Sequence, residues 1–218
     1  MYSAVVFDLD GTLIDSAPTV AIVLNSMRHQ MGKDALGIES YRSWSSEGGE
    51  VLVGNALDLS LKDAAQFVPE FRKHYFELPT PIECIYPGVI DMLREFKSRK
   101  IRMAICSNKP ENLCRKVLRE TTLFDFFDVV IGGDTLSKKK PDPAPLLYSM
   151  IKIATSFNQV LYVGDSSIDK QTAMAANIDF AHFMGGYDSS VSLGTKDIAF
   201  KIHNLLVLDL ITRGKISE

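Results

Sequence analysis

The chain has 218 residues, 46% of them apolar, and a net charge of −3, with a pI near 5.8. That length suits one large domain or a core carrying a smaller insert. The acidic balance lacks the basic footprint of a nucleic-acid binder, and no apolar run approaches the roughly 20 residues of a membrane span, so neither nucleic acid nor membrane is an expected partner.

The first residues, MYSAVVF, have neither the basic start nor the long apolar stretch of a secretory signal. Cys84, Cys106 and Cys114 are odd in number and are not spaced as zinc pairs, so reduced thiols and a cytoplasmic location are expected. Residues 4–7 (AVVF) are a β-branched apolar run, predicting a central buried strand. From residue 16 to about residue 78 the apolar residues recur three and four apart, as at Val20, Val23, Leu24 and Met27. This predicts several amphipathic helices with no strand among them. LPTPIECIYPG, residues 78–88, then supplies three prolines and a glycine, the composition of a boundary.

After Gly88 the pattern alternates. Helices are predicted at 89–100, 111–121, 144–154 and 169–177, and strands at 101–106, 127–133, 159–165 and 180–184. Residues 197–218 read as a short strand and a closing helix. Alternation of this kind predicts an α/β fold, a doubly wound parallel sheet of Rossmann-like type with helices on both faces. Residues 1–15 and 86–218 then form the core, interrupted by a helical insert over 16–85.

Open α/β sheets bind ligands beyond the carboxyl ends of their strands. The residues just after each strand are therefore expected to meet. These are Asp8 and Asp10, then Ser107 and Asn108, then Asp134 with Lys140-Pro141, then Asp165, Ser166 and Asp169. Carboxylates crowded this way repel; two unit charges about 4 Å apart cost roughly 4 kcal/mol at an effective dielectric near 20. A hard divalent cation offsets that, and a carboxylate-rich donor set suits Mg²⁺. Lys140, one hydroxyl, and backbone N–H groups near Thr12 and Asn108 then face the open side of the metal, an arrangement suited to phosphate. Asp8 lies beside phosphorus as a nucleophile.

Several of these residues also have a purely structural reading. Asp8 and Asp10 suit a turn and helix cap. Ser107 can cap the helix that starts near Glu111. Asp169 suits the first turn of its helix through the helix dipole. Asp15 and Asp134 suit local turns, and Lys138 and Lys139 suit a solvated loop. Arg42 reads either as an exposed arginine or as a reader of a substrate carboxylate.

Taken together, FDLDGTLIDS, ICSNK, KKPDP and VGDSSID resemble, in order, the four motifs of the haloacid dehalogenase-like hydrolase superfamily. The resemblance implies that the insert is a helical cap. It implies that Asp8 is the nucleophile forming an aspartyl-phosphate and that Asp10 is general acid and then base. Ser107, Asn108, Lys140 and Thr12 would hold the phosphoryl group. Asp8, Asp165 and the backbone carbonyl of Asp10 would bind Mg²⁺, with Asp169 acting through water or as a neighbour. A dehalogenase branch lacks the second aspartate, so Asp10 favours phosphoryl transfer. GGDTLSKKKPDPAPLLYSM is similar to phosphoglycolate phosphatases, and YRSWSSEGGEVLV is similar to their cap, except that Ser45-Ser46-Glu47 intervenes before Gly48-Gly49. The expected function is hydrolysis of a small phosphate monoester, 2-phosphoglycolate first, by a monomer or homodimer. The alternatives are a pyrophosphatase or other small-ester phosphatase, a phosphosugar mutase, and a phospho-accepting signalling domain.

Overall fold

The structure, a computed structural model, describes residues 2–153, 159–188 and 200–214. Its centre is β1 (Ala4–Phe7), all four residues of which are fully buried. Around it lie β2 (Arg102–Cys106), β3 (Val129–Ile131), β4 (Val160–Gly164), β5 (Asp179–Phe183) and β6 (Phe200–Ile202). They form one parallel sheet in the order β3-β2-β1-β4-β5-β6. A strand buried on both faces has no reason to alternate apolar with polar residues, which is why AVVF is apolar throughout.

Successive side chains point to opposite faces. Val5 and Phe7 join a core with α6 (Val89–Ser98) and α7 (Glu111–Glu120), through Met92, Phe96 and Val117 among others. Ala4 and Val6 join a second core in which Leu146 and Met150 of α8 (Ala144–Lys152) and Ala173 of α9 (Ser167–Ala176) take part. The sheet is thus covered on both faces, as expected for a doubly wound fold.

The register sets the site. Phe7 pairs with Ile105 on one side and Val163 on the other, so β1, β2 and β4 end level. The strand order also reverses beside β1, with β2 and β3 on one flank and β4 to β6 on the other. Such a reversal opens a crevice at the carboxyl end of the sheet, where Asp8 and Asp165 emerge.

Between β1 and α6 the chain forms α1 (Ala17–Gln30), α2 (Ile38–Ser45), α3 (Gly49–Leu57), α4 (Leu61–Ala64) and α5 (Val68–Glu77). The face predicted for α1, Val20, Val23, Leu24 and Met27, is buried in one cluster with Tyr41, Leu52 and Phe71. The segments entering and leaving this helical stretch run side by side. Asp15 N–H donates to the Cys84 carbonyl at 2.7 Å, and Tyr86 N–H donates to the Leu13 carbonyl at 3.0 Å.

Several predicted ends shift. β3 keeps three residues of the expected 127–133, because as an edge strand it has a ladder on one side only. The helix expected to 100 stops at Ser98, where Lys100 adopts φ 58° and Ile101 N–H turns back to the Phe96 carbonyl at 3.0 Å. The helix expected from 169 begins at Ser167, because Ser166 caps it in a reciprocal pair with Asp169. The expected closing strand and helix are β6 and α10 (Val207–Thr212). Residue 154 of the predicted helix 144–154, and residues 197–199 and 215–218 of the predicted closing strand and helix, lie outside the described residues. Among the described residues no helix is long and apolar enough to cross a membrane.

Candidate active site

Asp8, Asp165 and Asp169 are buried and present carboxylate oxygens that all lie within 4.8 Å of one another. Asp8 is placed by extension of the sheet: its N–H donates to the Val163 carbonyl at 2.9 Å. The chain then turns through Gly11 at φ +81°, a left-handed conformation. A Cβ at Gly11 would stand 2.3 Å from Asp165 Oδ2, so glycine is required by both conformation and space. Asp165 accepts from the Thr12 hydroxyl at 3.0 Å and from Tyr187 N–H at 2.7 Å.

Lys140 Nζ lies 2.6 Å from Asp169 Oδ1 and 3.0 Å from Asp8 Oδ1, and also donates to the Tyr162 hydroxyl at 3.0 Å. The Asp8 contact brings opposite charges together. Three carboxylates against one ammonium leave the pocket with excess negative charge. Burial pushes the Asp8 carboxyl up to about 7 despite the pull of Lys140. Burial, then the charges of Asp169 and Asp8, push Asp165 well above the carboxylate range. Burial would raise Asp169 too, but Lys140 holds it below its ordinary value. For Lys140, burial favours the neutral amine, and the charges of Asp169 and Asp8 outweigh it, so its pKa is raised. Excess charge and an all-oxygen donor set together fit a divalent cation.

Asp10 stands apart from this cluster. Its two carboxylate oxygens lie 2.9 and 3.1 Å from Lys109 Nζ. Lys109 also donates to the Tyr75 hydroxyl at 3.0 Å, and its ammonium is 4.4 Å from the centre of that ring. Burial alone would lower the Lys109 pKa, but Asp10 and Tyr75 raise it above the usual lysine range. Ser107 is buried beside this pair, and Asn108 donates to the Lys140 carbonyl at 3.1 Å and to the Ser46 carbonyl at 3.3 Å. The Asn108 side-chain oxygen is buried with no partner. Asp8, Asp10, Ser107, Asn108 and Lys140 line one cavity.

The remaining candidates sort by geometry. Thr12 is fully buried, with its hydroxyl on Asp165 and its N–H on the Leu9 carbonyl at 3.3 Å. In this arrangement its hydroxyl orients Asp165, and its expected part in holding phosphate stands beside that contact. Arg42 lines a different cavity with Tyr187 and Ser166. Its guanidinium is held by Asp15 and Glu39, each at 2.5 Å. Asp15 thus reaches well beyond a local turn. Asp134 accepts Glu111 N–H at 2.8 Å and so caps α7, the role open to Ser107 on sequence alone. Asp169 combines both readings, capping α9 and pairing with Lys140. Lys138 lies exposed, 2.8 Å from Asp142.

Lys109, Tyr75 and Arg72 line the cavity and had no assigned role from sequence. Lys109 carried a signal, a lysine two residues past Ser107 in the loop where strand ends converge. Tyr75 and Arg72 sit in an amphipathic helix far along the chain, where nothing local distinguishes them.

This geometry agrees with the comparisons. Residues 5–183 match the family model described as haloacid dehalogenase-like hydrolase. A phosphoglycolate phosphatase from Pseudomonas putida is 37% identical over 211 residues, covering 94% of this chain and 77% of that protein. Another from Cereibacter sphaeroides is 37% identical over 188 residues, covering 84% and 85%. A crystal structure from Haemophilus somnus, described as a predicted phosphoglycolate phosphatase, superposes with a TM-score of 0.87 at 26% identity, covering 97% of this chain and 98% of that one. A β-phosphoglucomutase from Clostridium difficile shares the fold at 20% identity and a TM-score of 0.78, covering 99% and 96%. With its strand-end aspartates converging as the motifs require, the chain belongs to the haloacid dehalogenase-like hydrolases and is a phosphoric monoester hydrolase of that family.

Proposed function

We propose that the chain hydrolyses a small phosphate monoester, 2-phosphoglycolate first, through a phosphoryl group carried on Asp8, with Mg²⁺ as its metal. The observation that supports this most is the setting of Asp8, 3.0 Å from Lys140 and in one buried cluster with Asp165 and Asp169. The names of the relatives point to phosphoglycolate as the ester.

Asp8, Asp165 and the backbone carbonyl of Asp10 would hold Mg²⁺, with Asp169 acting through water or as a neighbour. When bound, the metal supplies positive charge that lets Asp8 approach an anionic phosphate. An Asp8 carboxylate oxygen bonds to phosphorus as the ester P–O bond breaks, and Asp10 gives a proton to the departing alkoxide. Lys140 and Ser107 hold the phosphoryl oxygens, with Asn108 at the same wall. Asp10, now ionised, takes a proton from water as its oxygen attacks phosphorus. The bond between Asp8 and phosphorus breaks and phosphate leaves. Two steps of this kind are each easier than direct hydrolysis, and fixed donors around the phosphoryl group stabilise developing charge. Lys109 fixes the position of the Asp10 carboxyl.

Residues 16–85 act as a cap over a core of residues 1–15 and 86–218. The paired linkers support this, as do the contacts of Tyr75 with Lys109 and Ser46 with Asn108. The cap closes over the substrate and limits water. The three free thiols support a cytoplasmic location. The proposed assembly is a monomer or a homodimer.

Turnover of 2-phosphoglycolate and p-nitrophenyl phosphate by wild type and Asp8→Asn, with Mg²⁺, tests the mechanism. Asp8→Asn should fall to background with an intact fold, and quenched wild type should carry an acid-stable, base-labile phosphoryl group. Retained turnover in Asp8→Asn refutes the nucleophile assignment. Faster turnover of pyrophosphate or a sugar phosphate than of 2-phosphoglycolate refutes the substrate.

A further inference from the structure

We propose that Arg72 is the specificity residue that binds the second anionic group of the substrate, a carboxylate. The inference rests on the reading of the site as a phosphatase for a carboxylate-bearing ester. It begins with a charge balance. Lys140 and Lys109 line the catalytic cavity, but each is neutralised in place, Lys140 by Asp8 and Asp169, Lys109 by Asp10. Arg72 lines the same cavity and is different. Among the described residues no hydrogen bond or ion pair engages it.

The sequence of α5 explains why. On a helix, a charge finds its partner three or four positions away. Around Arg72 those positions are Val68, Pro69, Tyr75 and Phe76, none of them acidic. The acids of α5 are committed elsewhere: Glu70 and Glu77 flank His74 at 3.6 and 3.5 Å. Arg72 is thus left to answer a charge from outside its own helix.

Its placement suits an anion. The guanidinium lies against Gly49: a Cβ there would be 3.6 Å from Arg72 Nη2 and 3.9 Å from Nε. The missing side chain leaves the planar fork uncovered. Val20, Leu52 and Phe71 line the same cavity, so an apolar wall stands beside the guanidinium, and a substrate that fills the cavity would displace water from it. A guanidinium matches a carboxylate with two parallel hydrogen bonds, which a lysine cannot do. Arg42 lacks these conditions, being tied to Asp15 and Glu39 and lining the other cavity.

The test compares two esters of one size, 2-phosphoglycolate and 2-hydroxyethyl phosphate, in which a hydroxymethyl group replaces the carboxylate. Wild type should prefer the first in kcat/KM. Arg72→Gln should reduce that preference by roughly ten- to a hundred-fold, the value of a charged hydrogen-bonded pair. The loss should fall mostly in KM for 2-phosphoglycolate, and Arg72→Lys should recover part of it. Arg72 is exposed, so both variants should keep the wild-type melting temperature. A wild-type preference that survives in Arg72→Gln overturns the assignment of Arg72 alone. Equal use of both esters by wild type overturns the carboxylate-bearing substrate, and Arg72 as its reader with it.

Discussion

As the proposed nucleophile Asp8 would have to be ionised to attack phosphorus, yet it is buried beside two other acids. Without metal its carboxyl is pushed up to about 7, first by burial and then by Asp169 and Asp10 against the pull of Lys140. The unfolded chain releases that proton near 3.8, the ordinary value. Between these two values the folded state holds a proton that the unfolded state has lost. The contribution of Asp8 to stability therefore falls as pH rises through that window. In EDTA, the melting temperature of wild type should decline from about pH 4 to pH 7 through this term. Asp8→Asn should remove that part of the decline and melt several degrees above metal-free wild type at pH 8. Calorimetry in EDTA measures this, and a variant that melts below wild type at pH 8 would contradict it. Lys109 offers the complementary lesson: buried, it stays charged only because Asp10 and Tyr75 face it.

At the scale of elements, level strand ends bring residues from distant parts of the chain to one edge. The motif residues after β1, β2 and β4 were legible for that reason. A buried parallel strand has a recognisable composition, and the polar residues that end it stand out. The contacts of the helical stretch were not legible. Arg42 sits near its sequence neighbours Glu39 and Trp44 in α2, but its partner Asp15 is 27 residues away. Their pair joins α2 to the loop after β1, with side chains 29% and 22% exposed. The pair is partly buried and still reached by solvent, so Arg42→Ala should cost about 1 kcal/mol in chemical denaturation. The same substitution should speed proteolysis within residues 78–88 by loosening the helical stretch from the sheet. A loss of several kcal/mol would show that Arg42 does more than tether.

The whole molecule carries a small net charge of −3 but concentrates several carboxylates in one pocket. A cation that binds the folded state alone stabilises it by mass action, by about 2.7 kcal/mol at a hundred times its dissociation constant. Mg²⁺ should therefore raise the melting temperature of EDTA-treated protein by several degrees and restore its phosphatase activity. Asp165→Asn should lose most of that thermal response. An equal response in wild type and Asp165→Asn would move the metal away from this cluster. The fold that gathers these charges is shared with a mutase at 20% identity, so chemistry is argued from the site and not from the architecture.

The order of strands and helices, and the acids, hydroxyl and lysine at the strand ends, were determined by the sequence, because periodicity and strand-ending residues are local features of the chain. Only the tertiary structure decided which charges remain free. Lys109 meets Tyr75 across 34 residues and Asp10 across 99, and Arg42 is taken by Asp15. Pairing over such separations depends on how the helical stretch packs over the sheet, and Arg72 is identified by the partner it lacks among the described residues.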